Sequence, residues 1–322
     1  MGGAGDVFVV IREAGERTVA AARALCEEQV GAANVAVIRE VPFAAALRRG
    51  LEVGVEAGRP WTLCLDADVL LRDGAVADLV AEAEAARDGA LLGVSGRVAD
   101  PLLGQLRHAG NHLYRTAHLP LALGTATFDA AKRRPETVVK KALARRGHGW
   151  LNLDTAPLGL HDAEQFHRDV FRKVYVHSLK HDRFMGYAER MWTRRAAGDE
   201  DARVALWSLA LARLIAPHAR PGGGRADENV VIDTRRFADN LDAVLVPAGM
   251  AEKPPLAPGA LDAAEVARRL DAFRIAPEFL ADEPFIRAEM RGDWSAALGR
   301  LRRASPAGVL LAPLAPLLRR LI

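Results

Sequence analysis

Two aspartates separated by one alanine, Asp66 and Asp68, follow the apolar run Trp61-Thr62-Leu63-Cys64-Leu65. Side chains two apart on an extended strand point the same way. The spacing therefore predicts two carboxylates converging at the end of a buried strand. Like charges that close resist joint ionisation unless a cation, hydrogen bonds or water compensates. Oxygen ligands of this kind suit a hard divalent ion, Mg²⁺ or Mn²⁺, which in turn can hold a diphosphate. An acidic turn after a strand is the plain alternative for a D-x-D triplet standing alone, so its surroundings decide.

Those surroundings alternate. Val7–Ile11 reads as a strand, residues 16–30 as a helix, Asn34–Arg39 as a second strand. Residues 42–58 carry apolar positions at helical spacing and stop at the breakers Gly58-Arg59-Pro60. The strand into Asp66 comes next, then a helix over residues 74–87 and a strand at Ala90–Ser95. Strand-helix alternation argues for a parallel sheet with helices on both faces. Ligands of such sheets bind at the carboxyl ends of the strands, where Asp66 and Asp68 fall. Further on, Pro135–Arg146 reads as a basic amphipathic helix, Trp150–Leu160 as strand and loop, and Asp162–Lys180 as a long helix. Beyond Met185 the chain is mostly helical, broken at Pro221-Gly222-Gly223-Gly224 and Lys253-Pro254-Pro255. The expected division is residues 1–181 for an α/β domain carrying the D-x-D turn and 182–322 for a helical C-terminal region.

At 322 residues, 50% hydrophobic and 26% charged, the chain is long enough for a large core and has a globular balance. A net charge of +3, with no aromatics interleaved among basic residues, argues against nucleic acid as a partner. The two cysteines, Cys26 and Cys64, form no disulfide framework, and a cytoplasmic setting is expected. No stretch reaches the roughly 18 apolar residues of a spanning helix. The apolar tail Gly308–Ile322, with Arg319 and Arg320, suggests peripheral contact with the inner face of an anionic membrane; packing onto the main domain is the favoured alternative.

In the order of its elements the chain resembles the family-2-type inverting glycosyltransferases, which have the GT-A fold. The resemblance covers roughly residues 6 to 181. It rests on the first strand, on Arg48-Arg49-Gly50 and Glu56-Ala57-Gly58 in the helix before Asp66-Ala67-Asp68, and on Gly96-Arg97-Val98. It continues through Gly110-Asn111-His112-Leu113-Tyr114-Arg115, Phe128-Asp129 and Arg134-Pro135-Glu136-Thr137 to a helix ending at Gly147 and to His161 after a final strand. The family's strand-one signature is replaced here by Arg12-Glu13-Ala14, and its acidic pair after strand two by Arg39-Glu40.

The resemblance implies a GT-A-like, Rossmann-type mixed sheet flanked by helices. It also implies transfer of a sugar from a nucleotide-diphosphate sugar to a glycan or lipid-linked acceptor, with Mn²⁺ or Mg²⁺ as cofactor. Asp68 takes the place of the principal metal ligand, Asp66 that of a ribose or metal contact, and His161 that of a late metal ligand. Arg12, Arg39 and Arg49 are candidates for holding the nucleotide. His112 and Arg115 lie where a sugar or phosphate is held, with plain surface charge the alternative; Trp150 is a candidate to stack on an acceptor ring, a core tryptophan being the favoured alternative. The acceptor hydroxyl needs a base, and a partly buried carboxylate suits that work. Glu136 is preferred, although as an acid in a helix first turn it also fits the helix dipole; Asp162 is its rival. His177 and His181, one helical turn apart, lack an acidic base between them and are set aside as a zinc pair.

Two other readings compete. A haloacid-dehalogenase-type phosphohydrolase also ends a strand with D-x-D, but wants Thr or Val where this chain has Leu70, and normally opens its domain with that motif. A GT-A-like binding module without catalysis is the third.

Overall fold

The computed structural model describes residues 3–129, 135–180, 182–215 and 251–280. Pro221–Gly224, His181, Arg134 and the tail Gly308–Ile322 lie outside the described residues. The chain forms two compact units, one of Met1–Phe166 with Lys253–Arg274, the other of His167–Glu252 with Ile275–Ile322.

The first unit opens with β1 (Val7–Glu13), α1 (Val19–Val30), β2 (Val35–Arg39), α2 (Phe43–Ala57) and β3 (Trp61–Asp66). Then follow β4 (Val69–Leu71), α3 (Ala75–Ala85), β5 (Gly93–Asp100), β6 (Gln105–His108) and β7 (Asn111–Arg115). After α4 (Leu119–Thr125) and α5 (Pro135–Ala144) come β8 (Trp150–Leu153) and β9 (Gly159–His161). One sheet runs β2-β1-β3-β7-β5-β9-β4, with β6 and β8 also paired to β5. β2, β1 and β3 are parallel, as βαβ crossovers require. From there the expected parallel sheet gives way to a mixed one: β7 is antiparallel to both β3 and β5, whereas β8 and β9 run parallel to β5. The α/β class with a mixed sheet flanked by helices thus stands.

Alternation along the strands divides the core. Trp61, Leu63 and Leu65 join Val9, Ile11, Leu79 and Val80 in the cluster containing α1 and α3 residues. Cys64, one residue out of phase, joins Tyr114, Leu47, Leu51, Leu119, Val139 and Leu143 in the cluster formed with α2, α4 and α5. Close approach of α2 to β3 depends on Gly54: a Cβ there would meet Thr62 Cγ2 at 2.3 Å.

In the second unit α6 (His167–Lys180), α7 (Asp182–Arg195) and α8 (Glu200–Ile215) pack around Phe171, Phe184, Trp192 and Val204. The α6 stretch, assigned from sequence to the first domain, belongs to this unit. Glu252 caps α6, its carboxylate accepting from the backbone N–H of His167 at 2.6 Å and of Arg168 at 3.2 Å. The chain then returns to the first unit as α9 (Ala263–Ala272), whose N-terminus is capped by Asp262, and ends its described part in the second unit as α10 (Pro277–Leu280). Val266 of α9 and Leu261 pack against Leu70 of β4 and Leu160 of β9. Glu164, in the loop after β9, is held by Arg17 at 2.7 Å and by Arg269 of α9 at 3.1 Å. Among the described residues, no helix is long and apolar enough to cross a membrane.

Candidate functional site

The backbone of the D-x-D turn is fixed from four directions. Asp66 N–H donates to Gly110 O at 2.8 Å and Ala67 N–H to Arg12 O at 3.0 Å. The Thr18 hydroxyl donates to Ala67 O at 2.7 Å, and Asp162 N–H to Asp68 O at 3.1 Å. Gly110 has φ +64, and a Cβ there would fall 2.5 Å from Val69 Cγ2 and 3.2 Å from Asp66 Cβ, so only glycine fits beside the turn. Strand β3 ends at Asp66, and the two carboxylates meet different partners beyond it.

Asp68 faces His161 and Asp162, and ligand atoms of the three lie within 4.8 Å of one another. His161 and Asp162 are buried; Asp68 is 23% exposed at its side chain. The His161 Nδ1 lies 3.2 Å from Asp100 Oδ2 and 2.7 Å from Asp162 Oδ2. Two carboxylates on one nitrogen place the ring proton on Nδ1, which donates to Asp100. Nε2 lies 3.8 Å from Asp68 Oδ2, too long for a hydrogen bond. The Asp68 Oδ1 is buried and has no hydrogen-bond partner. An imidazole nitrogen, an orphaned carboxylate oxygen and a second carboxylate form a group that could hold a metal ion. Asp162 adopts φ +56, a conformation that aspartate tolerates better than most residues and that is enriched at functional sites.

Behind this group stands Asp100 at the end of β5, fully buried. It accepts from Leu103 N–H at 2.8 Å and from Arg107 Nη1 at 2.8 Å. A carboxylate bonded to the far nitrogen of a metal-facing histidine fixes tautomer and ring orientation. Sequence reasoning passed over Asp100, because it has no D-x-D partner and falls in a strand expected to end at Ser95.

Asp66 meets a cation already present. The Arg12 Nη2 lies 2.7 Å from Asp66 Oδ1, and its Nη1 donates to Glu136 Oε1 at 3.0 Å. The Phe43 ring covers the guanidinium, its centroid 4.8 Å from the Arg12 Cζ. Burial opposes the Arg12 charge, but Asp66 and Glu136 more than offset that and raise its pKa. Burial likewise pushes the Glu136 carboxyl up; Arg12 pulls it down, and Asp66 adds to the rise. Glu16 is a further carboxylate raised by burial, with Asp68 and Asp66 contributing; its side chain accepts from Ala14 N–H.

The remaining candidates separate by register. His112 pairs opposite Cys64 in the middle of the β3–β7 ladder and lies 5.6 Å, ring to ring, from Trp150. Burial, with Lys140 adding, drives the His112 pKa well down. Trp150 donates its indole N–H to Ser95 Oγ at 3.2 Å and carries the Lys140 ammonium nitrogen 3.7 Å over its ring. Arg115 pairs with Trp61, at the opposite end of β3 from Asp66, and stacks on that ring at 4.5 Å. A side chain anchored there is not brought to the acidic cluster. Arg49 is engaged by Glu56 at 2.8 Å on the surface of α2, and Arg39 is exposed at the end of β2. The residues brought together are therefore Asp68, His161 and Asp162 in one group and Arg12, Asp66 and Glu136 in the next, two residues along the chain. Comparison of the chain with protein-family models, with curated proteins and with solved structures finds no match.

Proposed function

We propose that this protein is a divalent-metal-dependent transferase that moves a sugar from a nucleotide-diphosphate sugar to a hydroxyl-bearing glycan or lipid-linked acceptor, on a GT-A-like fold. The observation that carries the reading is the Asp68–His161–Asp162 group, with its orienting Asp100, placed at strand ends beside a buried carboxylate of raised pKa. Asp68 and His161, with Asp162, hold Mn²⁺ or Mg²⁺ in this reading. An ion held by these residues would supply stabilisation of the negative charge that develops on a departing diphosphate.

The chain's own groups divide the remaining work. Asp162 stands among the metal-facing side chains, which leaves Glu136 as the base for the acceptor hydroxyl. Its burial and raised pKa match the requirement that a base operate near neutral pH. Arg12, bridging Asp66 and Glu136, fixes the direction of that carboxylate and does not itself hold the nucleotide. With the Asp66 carboxylate held by Arg12 at 2.7 Å, the phosphohydrolase alternative, which needs it as a nucleophile, has less support.

Thermal unfolding of the full chain with MnCl₂ and a panel of UDP-, GDP-, dTDP- and CDP-sugars tests the reading. One nucleotide sugar should raise the melting temperature only when Mn²⁺ is present; a hundredfold excess over Kd corresponds to about 2.7 kcal/mol. Asp68→Asn should abolish the metal-dependent part. No stabilisation by any member of the panel, alongside turnover of p-nitrophenyl phosphate, would discard the transferase in favour of a phosphohydrolase.

A further inference from the structure

Lys140, on the same helix as Glu136, is a charged group that the reading so far leaves without work. It lies one helical turn after Glu136 on α5, half-buried, with its Nζ 3.7 Å from the centre of the Trp150 ring. No carboxylate stands within 4.0 Å of it and no hydrogen bond holds it among the described residues, so its contact is the face of Trp150. Its neighbours share the deficit: His112 Nδ1 and Tyr114 Oη are buried without hydrogen-bond partners. Residues four apart on a helix face one another, so the flexible stem can carry Nζ between the tryptophan face and the Glu136 carboxyl.

We infer that Lys140 is the proton acceptor behind Glu136, taking the acceptor hydroxyl's proton from that carboxyl and delivering it to water. The inference rests on the transferase reading and deepens it. Sugar transfer releases one proton per turnover. The acceptor oxygen bonds to the anomeric carbon as its proton passes to Glu136; the bond from that carbon to the diphosphate oxygen breaks, and its electron pair leaves with the diphosphate. Glu136, enclosed and clamped by Arg12, must then lose the proton before the next cycle. The lone pair of an unpaired amine one turn away takes it and restores the carboxylate, and the half-exposed ammonium passes it on.

The electrostatics agree with this geometry. Burial holds the Lys140 pKa down to about 7, with Glu136 pulling it up and Arg12 pushing it further down. Glu136 on its own helix and Arg12 on β1 are the charged groups acting on it. His112 on β7 is kept neutral by burial, and the α2 and α4 side chains clustered with α5 are the apolar Leu47, Leu51, Leu119 and Ala122.

Two measurements test the assignment. On the unmodified full-length protein, pulse labelling with acetic anhydride across pH 6 to 11, read by peptide mass spectrometry, should give Lys140 a midpoint near 7; a midpoint near 10 overturns the inference. With the donor identified by thermal unfolding, wild-type transfer should rise with pH through the same midpoint. Lys140→Met and Lys140→Arg should lose that limb and fall by about 10² in kcat at unchanged donor KM, since neither accepts a proton. Lys140→His, whose imidazole does, should recover part of it. A wild-type pH profile in Lys140→Met beside active wild type removes the relay and leaves the transferase; absence of transfer by the wild type removes both.

Discussion

Asp68 and His161 are 3.8 Å apart at their facing atoms because a third side chain, Asp100, turns the imidazole. If Asp100 orients rather than ligates, Asp100→Ala should keep the fold but weaken Mn²⁺ binding by about 10- to 100-fold, read by calorimetric titration. Wild-type affinity in that variant would show that the ring is held by Asp162 alone. At this scale the sequence was legible where two signals coincided. The D-x-D spacing singled out Asp68 and the family resemblance singled out His161, and the structure places the two side chains close together. Asp66 was expected to share a cation with Asp68, and instead faces Arg12, since a turn rather than a continuing strand follows it. Lys140 lay within a helix read as basic and amphipathic, and nothing in that pattern reveals that it sits over the Trp150 ring.

Strands and helices set which residues meet. The first five elements were legible because apolar runs and Gly-Pro breakers mark them, and α2 was placed within a residue or two of its ends. β4, β6 and β7 escaped: β4 has three residues, and β7 carries His112 and Asn111 inside the sheet, where alternation leads one to expect apolar side chains. Asn111 is satisfied there by Gly96, accepting from its N–H at 2.8 Å and donating to its carbonyl at 3.1 Å. Without the β3–β7 register, nothing showed that Arg115 pairs opposite Trp61, at the far end of β3 from Asp66. The turn between β6 and β7 is an element whose failure should be visible. Gly110→Ala forces a side chain into a positive-φ position against Val69 and Asp66, at a cost of about 2 kcal/mol or more. Urea unfolding should show the loss, and Mn²⁺ binding should weaken with it; unchanged stability would mean the turn re-forms another way.

The whole molecule's stability carries a signature of the buried amine. Unfolded, Lys140 holds its proton to about pH 10.5, and folded only to about 7. Between those values the unfolded chain binds more protons, so this residue makes stability climb with pH. Relative to Lys140→Met, wild type should gain about 2 kcal/mol from pH 7 to 9 in urea unfolding, while the raised thiols of Cys26 and Cys64 act equally in both proteins. A flat difference would place the ammonium in water.

The insertion of one unit within the other has a consequence for the order in which the protein can mature. Glu164, two residues beyond Asp162, is held by Arg269 of α9, and α9 follows α6, α7 and α8 in the chain. A chain still emerging from the ribosome therefore has Asp68, His161 and Asp162 before it has the helix that holds Glu164. A product cut short after Glu252 should keep the sheet yet bind Mn²⁺, the ion of the proposed site, more weakly than the finished protein in calorimetric titration.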